Sequence, residues 1–255
     1  AVFYTLFTYI YEEFLECPYL RVLADLGAGK SRLVIDVLGS IVFRGIRTIG
    51  VSSIASLFRI MHTLRGTLIM DEADLKEQGD KTSELIQMLN SGYKSGVYIL
   101  RCEKKGNNQN GYKTESFNVF GPKIISSREH IKDHALESRC IPLKMVETKR
   151  KDLPLLVDDT LEQDALVLRN KLLMWRFRNL GKRRVSIDQR FNELSISSRT
   201  KQLLLLLSSV IDDEEAKKML LSYGMTLHEE NVSRRGESVE GELLEEIKKQ
   251  AQAGN

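Results

Sequence analysis

Short apolar runs alternate with amphipathic stretches along the first part of the chain. The runs lie at 20–23, 48–51, 67–70, 123–126 and 141–145, and the stretches with helical spacing lie at 31–43, 52–64 and 83–90. Alternation of this kind is typical of parallel strands that are connected by helices covering the sheet. The pattern therefore predicts an α/β fold with a parallel sheet core and helices on both faces of the sheet.

Two features interrupt this alternation. Apolar positions at helical spacing over 1–16, ended by Pro18, predict an N-terminal helix. Farther along, the strand-like runs 97–102 and 114–120 enclose a segment made mainly of Gly, Asn, Gln and Lys. Such a segment predicts a β-hairpin with a basic, polar tip.

Helical periodicity replaces the strand signals after about residue 147, in 161–180, 198–211 and 213–223. We place a domain boundary near residue 149, because the change of period indicates a separate packing unit. The predicted organisation is an N-terminal helix at 1–18, a core at 19–149 with the hairpin inserted at 97–120, a small all-helical domain at 150–224, and a polar linker or tail at 225–255.

Composition narrows the class of protein. The chain has 255 residues, of which 42% are hydrophobic and 29% charged, as expected for a globular domain. No apolar run approaches the roughly 18 residues of a membrane span, and three widely spaced cysteines fit a reducing compartment. We expect a cytoplasmic protein without a membrane partner. Because the chain begins with Ala1 and its tail stops within a pattern, we also expect a fragment of a longer protein.

A glycine-rich turn follows the first predicted strand. Residues 24–31 read ADLGAGKS and lead directly into a predicted helix. Glycines let successive amides face inward around phosphate oxygens, Lys30 can reach the terminal phosphates, and the Ser31 hydroxyl can ligate magnesium. A GxxxxGK[ST] motif requires Gly at position 24, where this chain has Ala. An ordinary surface turn before a helix is the alternative. The expected ATP-binding residues are Asp25, Gly27, Ala28, Gly29, Lys30, Ser31 and Arg32.

Two acidic residues follow a second buried strand. The run 67–70 ends in Asp71 and Glu72. A carboxylate at the end of a core strand beside a phosphate turn can hold magnesium, and the next one can polarise the attacking water. We therefore expect Asp71 and Ser31 to hold Mg²⁺ and Glu72 to be catalytic, with ATP as the nucleotide. The alternative is that acidic residues simply begin the loop after a strand.

With these two motifs the chain resembles the AAA+ superfamily of P-loop NTPases over about residues 20–223, and more narrowly the ATPase domains of phage- and plasmid-type replication helicases. The stretches that carry the resemblance are LIMDEAD at 68–74, FGPKIISSR at 120–128 and ALESRC at 135–140. The resemblance implies a homo-oligomer in the form of a hexameric ring. It also implies that the helical domain is a small lid.

The resemblance implies three further catalytic positions. A polar residue that ends the strand between the two nucleotide motifs senses the γ-phosphate, and Ser126 and Ser127 both match it. Arg139 matches the arginine that a neighbouring subunit supplies, with Arg128 as a second candidate. Arg199 matches the sensor arginine of the lid. For Arg139 the plainer alternative is an exposed arginine that pairs with Glu137.

The hairpin matches an insertion that enters the central channel in helicases of this family. Lys104, Lys105 and Lys113 near its tip are candidate contacts to single-stranded DNA, although any solvated loop contains such residues. Since the net charge is only +3, nucleic-acid binding needs a local basic patch of this kind. His130 and His134 form no HExxH motif, so we expect no metal site there.

Three functions fit the sequence. The first is a ring-forming ATPase that translocates along or unwinds DNA in the replication of a mobile element. The second is an ATP-controlled assembly switch, such as a loader, initiator or defence ATPase, without processive translocation. The third is a degenerate structural P-loop module, which is disfavoured because the Lys, Ser, Asp and Glu are all present.

Overall fold

The computed structural model describes residues 1–25, 27–49, 53–71, 79–104, 112–128, 130–150, 152, 154, 157, 159–182, 185, 188–194 and 196–236. The chain forms two compact units, Ala1–Val185 and Ser186–Asn255. Of the predicted site residues, Glu72 and Lys105 lie outside the described residues.

A parallel five-stranded sheet forms the centre of the first unit. Its strands are β1 (Tyr19–Ala24), β2 (Ile46–Ile49), β3 (Leu68–Asp71), β6 (Lys123–Ser127) and β7 (Cys140–Met145). Across the sheet they lie in the order β2-β3-β6-β1-β7. A separate antiparallel pair consists of β4 (Tyr98–Lys104) and β5 (Tyr112–Asn118). All four pairings within the five-stranded sheet are parallel. The predicted parallel α/β core is confirmed, as are the predicted strands at 123–126 and 141–145.

Helices precede, connect and follow these strands. They are α1 (Val2–Thr8), a π-helical segment Arg32–Leu38 continued by α2 (Gly39–Ile41), α3 (Ile54–Leu64), α4 (Asp80–Ser91), α5 (His134–Glu137) and α6 (Asp159–Asn179). The connection from β1 to β2 crosses the sheet in one direction, and the later connections return in the other. Because parallel crossovers are right-handed in nearly all sheets, the helix after β1 and the helices α3 to α5 lie on opposite faces.

Local sequence explains why α3 begins and ends where it does. Ser53 caps it by accepting a hydrogen bond from the Ser56 amide at 3.4 Å, and Arg65 ends it in the left-handed conformation at φ 46°. Its buried residues follow helical spacing: Ile54, Leu57, Phe58 and Met61. The burial of this stripe against the sheet stabilises a helix that would be marginal alone.

The N-terminal segment is less helical than predicted. Instead of one helix over 1–16, it forms α1 and a 3₁₀ turn, Tyr11–Glu13. Buried residues lie on all sides of this segment, so one helix with a single apolar face cannot accommodate them. Tyrosine hydroxyls fix the turn to the core instead, with Tyr9 donating to the Ile41 carbonyl at 2.8 Å and Tyr11 to the Arg65 carbonyl at 3.0 Å.

The antiparallel pair β4 and β5 confirms the predicted hairpin. Its register pairs Tyr98 with Asn118 and Lys104 with Tyr112. One face of the hairpin packs on α3 and α4, where Phe117 contacts Phe58 with ring centroids 6.3 Å apart. On that face Arg101 lies over the Phe58 ring at 4.7 Å and forms an ion pair with Glu84 at 3.2 Å.

The division between the two units lies after Val185 rather than at the predicted position near 149. Helix α6 was predicted to belong to the helical domain, yet it is part of the first unit. Arg169 donates to the Ser40 carbonyl at 2.9 Å, and Arg176 donates to the Tyr9 carbonyl and forms an ion pair with Glu12 at 2.8 Å. Periodicity marked where helices begin, but these long-range contacts decide which unit a helix joins.

The second unit consists of α7 (Gln189–Glu193), α8 (Ser198–Ser208) and α9 (Glu214–Gly236). Leucines of α8 form its core, as predicted for that leucine run: Leu203, Leu204, Leu206 and Leu207 are buried. Helix α9 continues well beyond the predicted end at 223, so part of the predicted polar tail is helical. Gly224 lies inside this helix, where a Cβ would lie 2.5 Å from Leu204 Cδ1, so glycine allows the two helices to pack closely.

None of the described helices is long and apolar enough to cross a membrane.

Candidate active site

The turn after β1 has the conformation that a phosphate-binding loop needs. Gly27 and Gly29 adopt φ values of +83° and +77°, and no atom lies within 4 Å of the Cβ position of either. Glycine is therefore required there by the backbone conformation and not by lack of space. Turns of this type direct successive amides to one side, where they can bind an anion.

The alanine at position 24 does not disturb this turn. Ala24 is the last residue of β1, pairs with Met145 and is not among the residues with positive φ. A side chain is therefore tolerated where the motif has glycine. Asp25 begins the turn, and its carbonyl accepts a hydrogen bond from the Ala28 amide at 3.4 Å.

Lys30 lies at the beginning of the helix that follows the turn. Its side chain is only 8% exposed, and within the described part of the chain it makes no hydrogen bond or ion pair. Burying an ammonium group without a partner is costly, so such a group is usually paired with an anion. The position of Lys30 and the absence of a counter-ion among the described residues make it a candidate for contact with an anionic ligand.

The next two residues differ in their surroundings. Ser31 is exposed and its side chain caps no helical amide, so its hydroxyl is available to a ligand. Arg32 instead donates to the carbonyl of Pro154 at 2.6 Å, in the segment that precedes α6. Among the described nucleotide-binding candidates, Arg32 is therefore the one whose side chain forms a hydrogen bond within the chain.

Two cations fix the far end of the helix after the turn. Arg47 donates to the Ser40 hydroxyl at 2.8 Å, and Arg169 donates to the Ser40 carbonyl. Cations at a helix C-terminus interact favourably with its dipole. The preceding segment Arg32–Leu38 is π-helical, a rare conformation that occurs frequently at functional sites.

Asp71 and Ser126 meet beside this turn. Both are buried, at 4% and 0% exposure, and the Ser126 hydroxyl donates a hydrogen bond to Asp71 Oδ1. The register explains the contact, because β6 lies between β1 and β3 and pairs Ile125 with Met70 and Ser126 with Val22. The carboxyl ends of parallel strands share one edge, so the turn and Asp71 are about two strand spacings, roughly 10 Å, apart across the sheet.

The same register separates the two candidate sensor serines. Ser126 is fully buried against Asp71, whereas Ser127 is partly exposed at the end of β6 and pairs with Leu23. Strand geometry directs successive side chains to opposite faces of a sheet. Only Ser126 is therefore in contact with the acidic residue.

Arg139 lies at the amino ends of the strands, opposite the carboxyl ends where the turn and Asp71 are. Its carbonyl accepts from the Tyr19 amide at 3.0 Å, at the beginning of β1, and its guanidinium lies 5.4 Å from the centre of the Tyr93 ring. Five residues of β1 separate this level from the turn, about 17 Å at 3.3 Å per residue. Arg139 is therefore too far from the turn of its own chain to contact a nucleotide bound there.

The predicted alternative partner of Arg139 is engaged elsewhere. Glu137 forms an ion pair with Arg21 at 2.8 Å, and His130 Nδ1 lies 3.0 Å from Glu137 and 3.1 Å from Arg21. Arg21 is only 1% exposed, in the middle of β1. Sequence reasoning missed this cluster, although an arginine within an otherwise apolar strand was a signal for a buried charge.

A second buried lysine was also missed. Lys123 is fully buried at the start of β6, and its ammonium donates to the carbonyls of Gly92, Val119 and Gly121 at 3.4, 3.0 and 3.0 Å. The ammonium also lies 4.6 Å from the centre of the Tyr19 ring. Burial lowers the pKa of Lys123 to about 7. Lys123 lies at the amino edge of the sheet, away from the turn.

The remaining predicted positions lie on other elements of the chain. Arg199 is in the second unit, where its side chain donates to Gln202 at 3.1 Å. Lys104 is the last residue of β4, and Lys113 in β5 is 67% exposed and forms an ion pair with Glu115 at 3.2 Å. Among the described residues no group of His, Cys, Asp and Glu side chains could hold a metal ion by itself.

No protein-family model matches the chain, and no curated protein matches it. Among solved structures, the chain is similar to one described as "The X-ray structure of Inhibitor Bound to JCV Helicase", with 14% sequence identity and a TM-score of 0.39. The match covers 83% of this chain and 61% of that chain, so this chain spans less than two thirds of the matched protein's length.

Proposed function

We propose that this chain is an ATPase that binds ATP at the turn after β1. The observation that carries the proposal is the buried ammonium of Lys30, which lies behind a glycine turn with positive φ and lacks a counter-ion among the described residues. Triphosphate oxygens are the ligand that satisfies both an amide-lined turn and an unpaired ammonium. The neighbouring Asp71 supports the proposal, because a polyphosphate binds together with a divalent cation.

The residues present fit a magnesium–nucleotide complex. The amides of 27–31 would hold the phosphates, Lys30 would bind the terminal phosphates, and Ser31 with Asp71 would hold Mg²⁺. The bound ion would neutralise charge on the phosphates and orient them. Ser126 keeps the Asp71 carboxylate in place through its buried hydrogen bond. Glu72 follows directly in sequence and is the proposed residue that polarises the attacking water.

We assign the sensing of the γ-phosphate to Ser127, because Ser126 already donates to Asp71. Ser127 lies at the carboxyl end of β6 and is partly exposed there. Arg199 is the proposed second sensor, acting from the helical unit. For both residues the expected effect of removal is on hydrolysis more than on nucleotide binding, since they would contact only the terminal phosphate.

We further propose that copies of the chain assemble into an AAA+ type ring, most simply a hexamer, so that Arg139 of one copy completes the site of the next. The distance of roughly 17 Å between Arg139 and its own turn supports action between copies. A guanidinium stabilises the charge that develops on the transferred phosphoryl group. Hydrolysis would then depend on assembly.

The work coupled to hydrolysis is, in the first proposal, translocation along or unwinding of single-stranded DNA by the hairpin lysines 104, 105 and 113. The exposed position of Lys113 supports it. A second candidate is an ATP-controlled assembly switch without translocation. The ion pair between Lys113 and Glu115 favours this second function, since it reduces the positive charge that the described hairpin offers to phosphates.

Nucleotide binding and hydrolysis, measured separately, test the ATPase proposal. Glu72→Gln should bind ATP with unchanged affinity and lose hydrolysis, whereas Ser126→Ala should weaken both by disordering Asp71. Equal hydrolysis by Glu72→Gln and wild type would contradict the assigned role of Glu72.

DNA-stimulated hydrolysis and strand displacement separate the two coupled functions. The triple variant Lys104→Ala, Lys105→Ala, Lys113→Ala should lose stimulation by single-stranded DNA. A matched control removes three exposed lysines elsewhere, Lys132, Lys149 and Lys218, with the same change in net charge. Equal loss in both variants would show a nonspecific charge effect, and no stimulation in wild type would favour the assembly switch.

A further inference from the structure

Within the described part of the chain, the side chain of Arg139 combines a favourable ring contact with buried donors that have no acceptor. Its guanidinium lies over the ring of Tyr93, a cation–π arrangement. Its Nε and Nη1 atoms are nevertheless buried without a hydrogen-bond partner among the described residues. Buried donors without acceptors are rare in native proteins, because they have lost their water and gained nothing in return. The observed position of this guanidinium is therefore a compromise.

Tyr93 is the fixed member of the pair. It is 3% exposed, its hydroxyl donates to Glu16 Oε2 at 2.9 Å, and its ring meets Tyr19 edge-on at 6.2 Å. The backbone of Arg139 is also fixed, since its amide donates to the Leu136 carbonyl at 3.0 Å and its carbonyl accepts from Tyr19. Only the Arg139 side chain can move without disturbing the sheet.

We infer that the contact between Arg139 and Tyr93 is autoinhibitory and stores the arginine on its own chain until a neighbouring copy presents bound nucleotide. This inference rests on the proposed function, in which Arg139 acts between copies. Phosphate oxygens of the neighbour's nucleotide are acceptors that would satisfy the unmet donors. Stacking on Tyr93 opposes release of the Arg139 side chain, whereas its donors without acceptors favour release. Nucleotide bound to a neighbouring copy therefore shifts the equilibrium toward the released side chain.

Loss of the Tyr93 ring should change the protein concentration at which ATP hydrolysis sets in. Removing the Tyr93 ring removes the interaction that opposes release, so the arginine engages its neighbour at lower protein concentration. A cation–π contact of ordinary strength corresponds to a change of between about twofold and thirtyfold in an equilibrium constant. The protein concentration that gives half-maximal ATPase activity should fall by a factor in this range.

The experiment compares Tyr93→Leu with Tyr93→Phe over a series of protein concentrations. Tyr93→Phe keeps the ring face and loses the hydroxyl with its hydrogen bond to Glu16, so its half-maximal concentration should match that of wild type. Tyr93→Leu should shift to lower concentration. Adding Arg139→Ala to Tyr93→Leu should abolish the shift. A shift that is equal in the Leu and Phe variants, or that survives Arg139→Ala, overturns the inference.

A measurement on the wild-type chain does not depend on how well Tyr93→Leu folds. The Arg139 Nε–H signal in a ¹⁵N NMR spectrum, assigned with Arg139→Lys, should carry an upfield ring-current shift in dilute protein. This shifted signal should disappear when a non-hydrolysable ATP analogue is added at concentrations that cause assembly. If it persists in the assembled protein, Arg139 stays on Tyr93 and the inference fails.

The two proposals fail in different ways. If Arg139→Ala alone hydrolyses ATP like wild type at every concentration, the proposed action of Arg139 between copies is wrong. If Arg139→Ala loses the concentration-dependent activity while Tyr93→Leu behaves like wild type, that action stands and only the storage role of Tyr93 is wrong.

Discussion

Two buried lysines lie at opposite edges of the same parallel sheet and have opposite surroundings. Lys123, at the amino edge, donates to three backbone carbonyls and lies over Tyr19. Lys30, beyond the carboxyl edge, is nearly as buried and has no hydrogen bond or ion pair among the described residues. A buried charge whose donors are satisfied within the chain has a structural role, whereas a buried charge without a partner makes a ligand the expected counter-ion. The comparison distinguishes a lysine with a structural role from the lysine that we propose binds the nucleotide.

The largest expected effect is the loss of folding stability when Lys123, which donates to three carbonyls, is replaced. Lys123→Ala leaves the Val119 and Gly121 carbonyls without this donor and opens a cavity, so it should lower the free energy of unfolding by about 3–5 kcal/mol. Urea unfolding measures the change. The matched control Lys30→Ala should leave stability unchanged or raise it. Equal destabilisation by the two substitutions would remove the distinction between the lysines.

The second effect is a loss of ATP affinity when Lys30 is replaced. Lys30→Ala removes a charge-assisted contact to phosphate and should weaken ATP binding by about 2–3 kcal/mol, roughly 30- to 150-fold. Calorimetric titration with ATP measures it. Lys123→Met, which keeps most of the side-chain volume, serves as the control and should bind ATP as wild type does.

A third effect concerns pH. Because burial lowers the pKa of Lys123 to about 7, the unfolded chain binds more protons than the folded one between about pH 7 and the ordinary lysine pKa. Stability from this group therefore rises with pH above 7, by at most about 1.4 kcal/mol per pH unit. The free energy of unfolding is measured from pH 6 to 8.5 for wild type and for Lys123→Met. The difference between the two curves gives the contribution of Lys123.

The upper limit of that pH range matters. Burial raises the pKa of the Cys140 thiol to about 12, which opposes the lysine effect once unfolded thiols ionise near pH 9. The sign from this group is the reverse, since a raised thiol pKa contributes stability below pH 9 and loses it above. A difference curve that is flat between pH 7 and 8.5 would contradict the prediction for Lys123.

The smallest effect concerns the glycines of the turn. Gly27→Ala places a side chain at φ +83° and should cost about 1 kcal/mol of stability, with weaker ATP binding because the amides are displaced. Gly79→Ala is the control, because position 79 is extended at φ −169° and equally open. Thermal unfolding and ATP titration of both variants provide the test. Similar losses in both would show that conformation does not matter at Gly27.

Much of the first unit could be predicted because its signals are local. The period of the apolar residues identified the strands β1, β3 and β6, and the Gly-Ala-Gly-Lys-Ser run identified a turn whose glycines do adopt positive φ. The departure at Ala24 raised a doubt that the structure removes, since that residue ends a strand. Local patterns failed where contacts were long-range, as for helix α6, which arginine contacts tie to the first unit.

The chain's own sequence determined the alternation of strands and helices, the glycine turn before Lys30 and the acidic end of β3, because each depends on the residues within one segment. Only the tertiary structure decided that Ser126 and not Ser127 contacts Asp71 and that Arg139 lies on Tyr93. It also decided that Lys123 donates to backbone carbonyls while Lys30 has no partner among the described residues. Strand order and register set these contacts. Strand pairing brings together residues as far apart in sequence as Asp71 and Ser126, 55 positions, which no local pattern encodes.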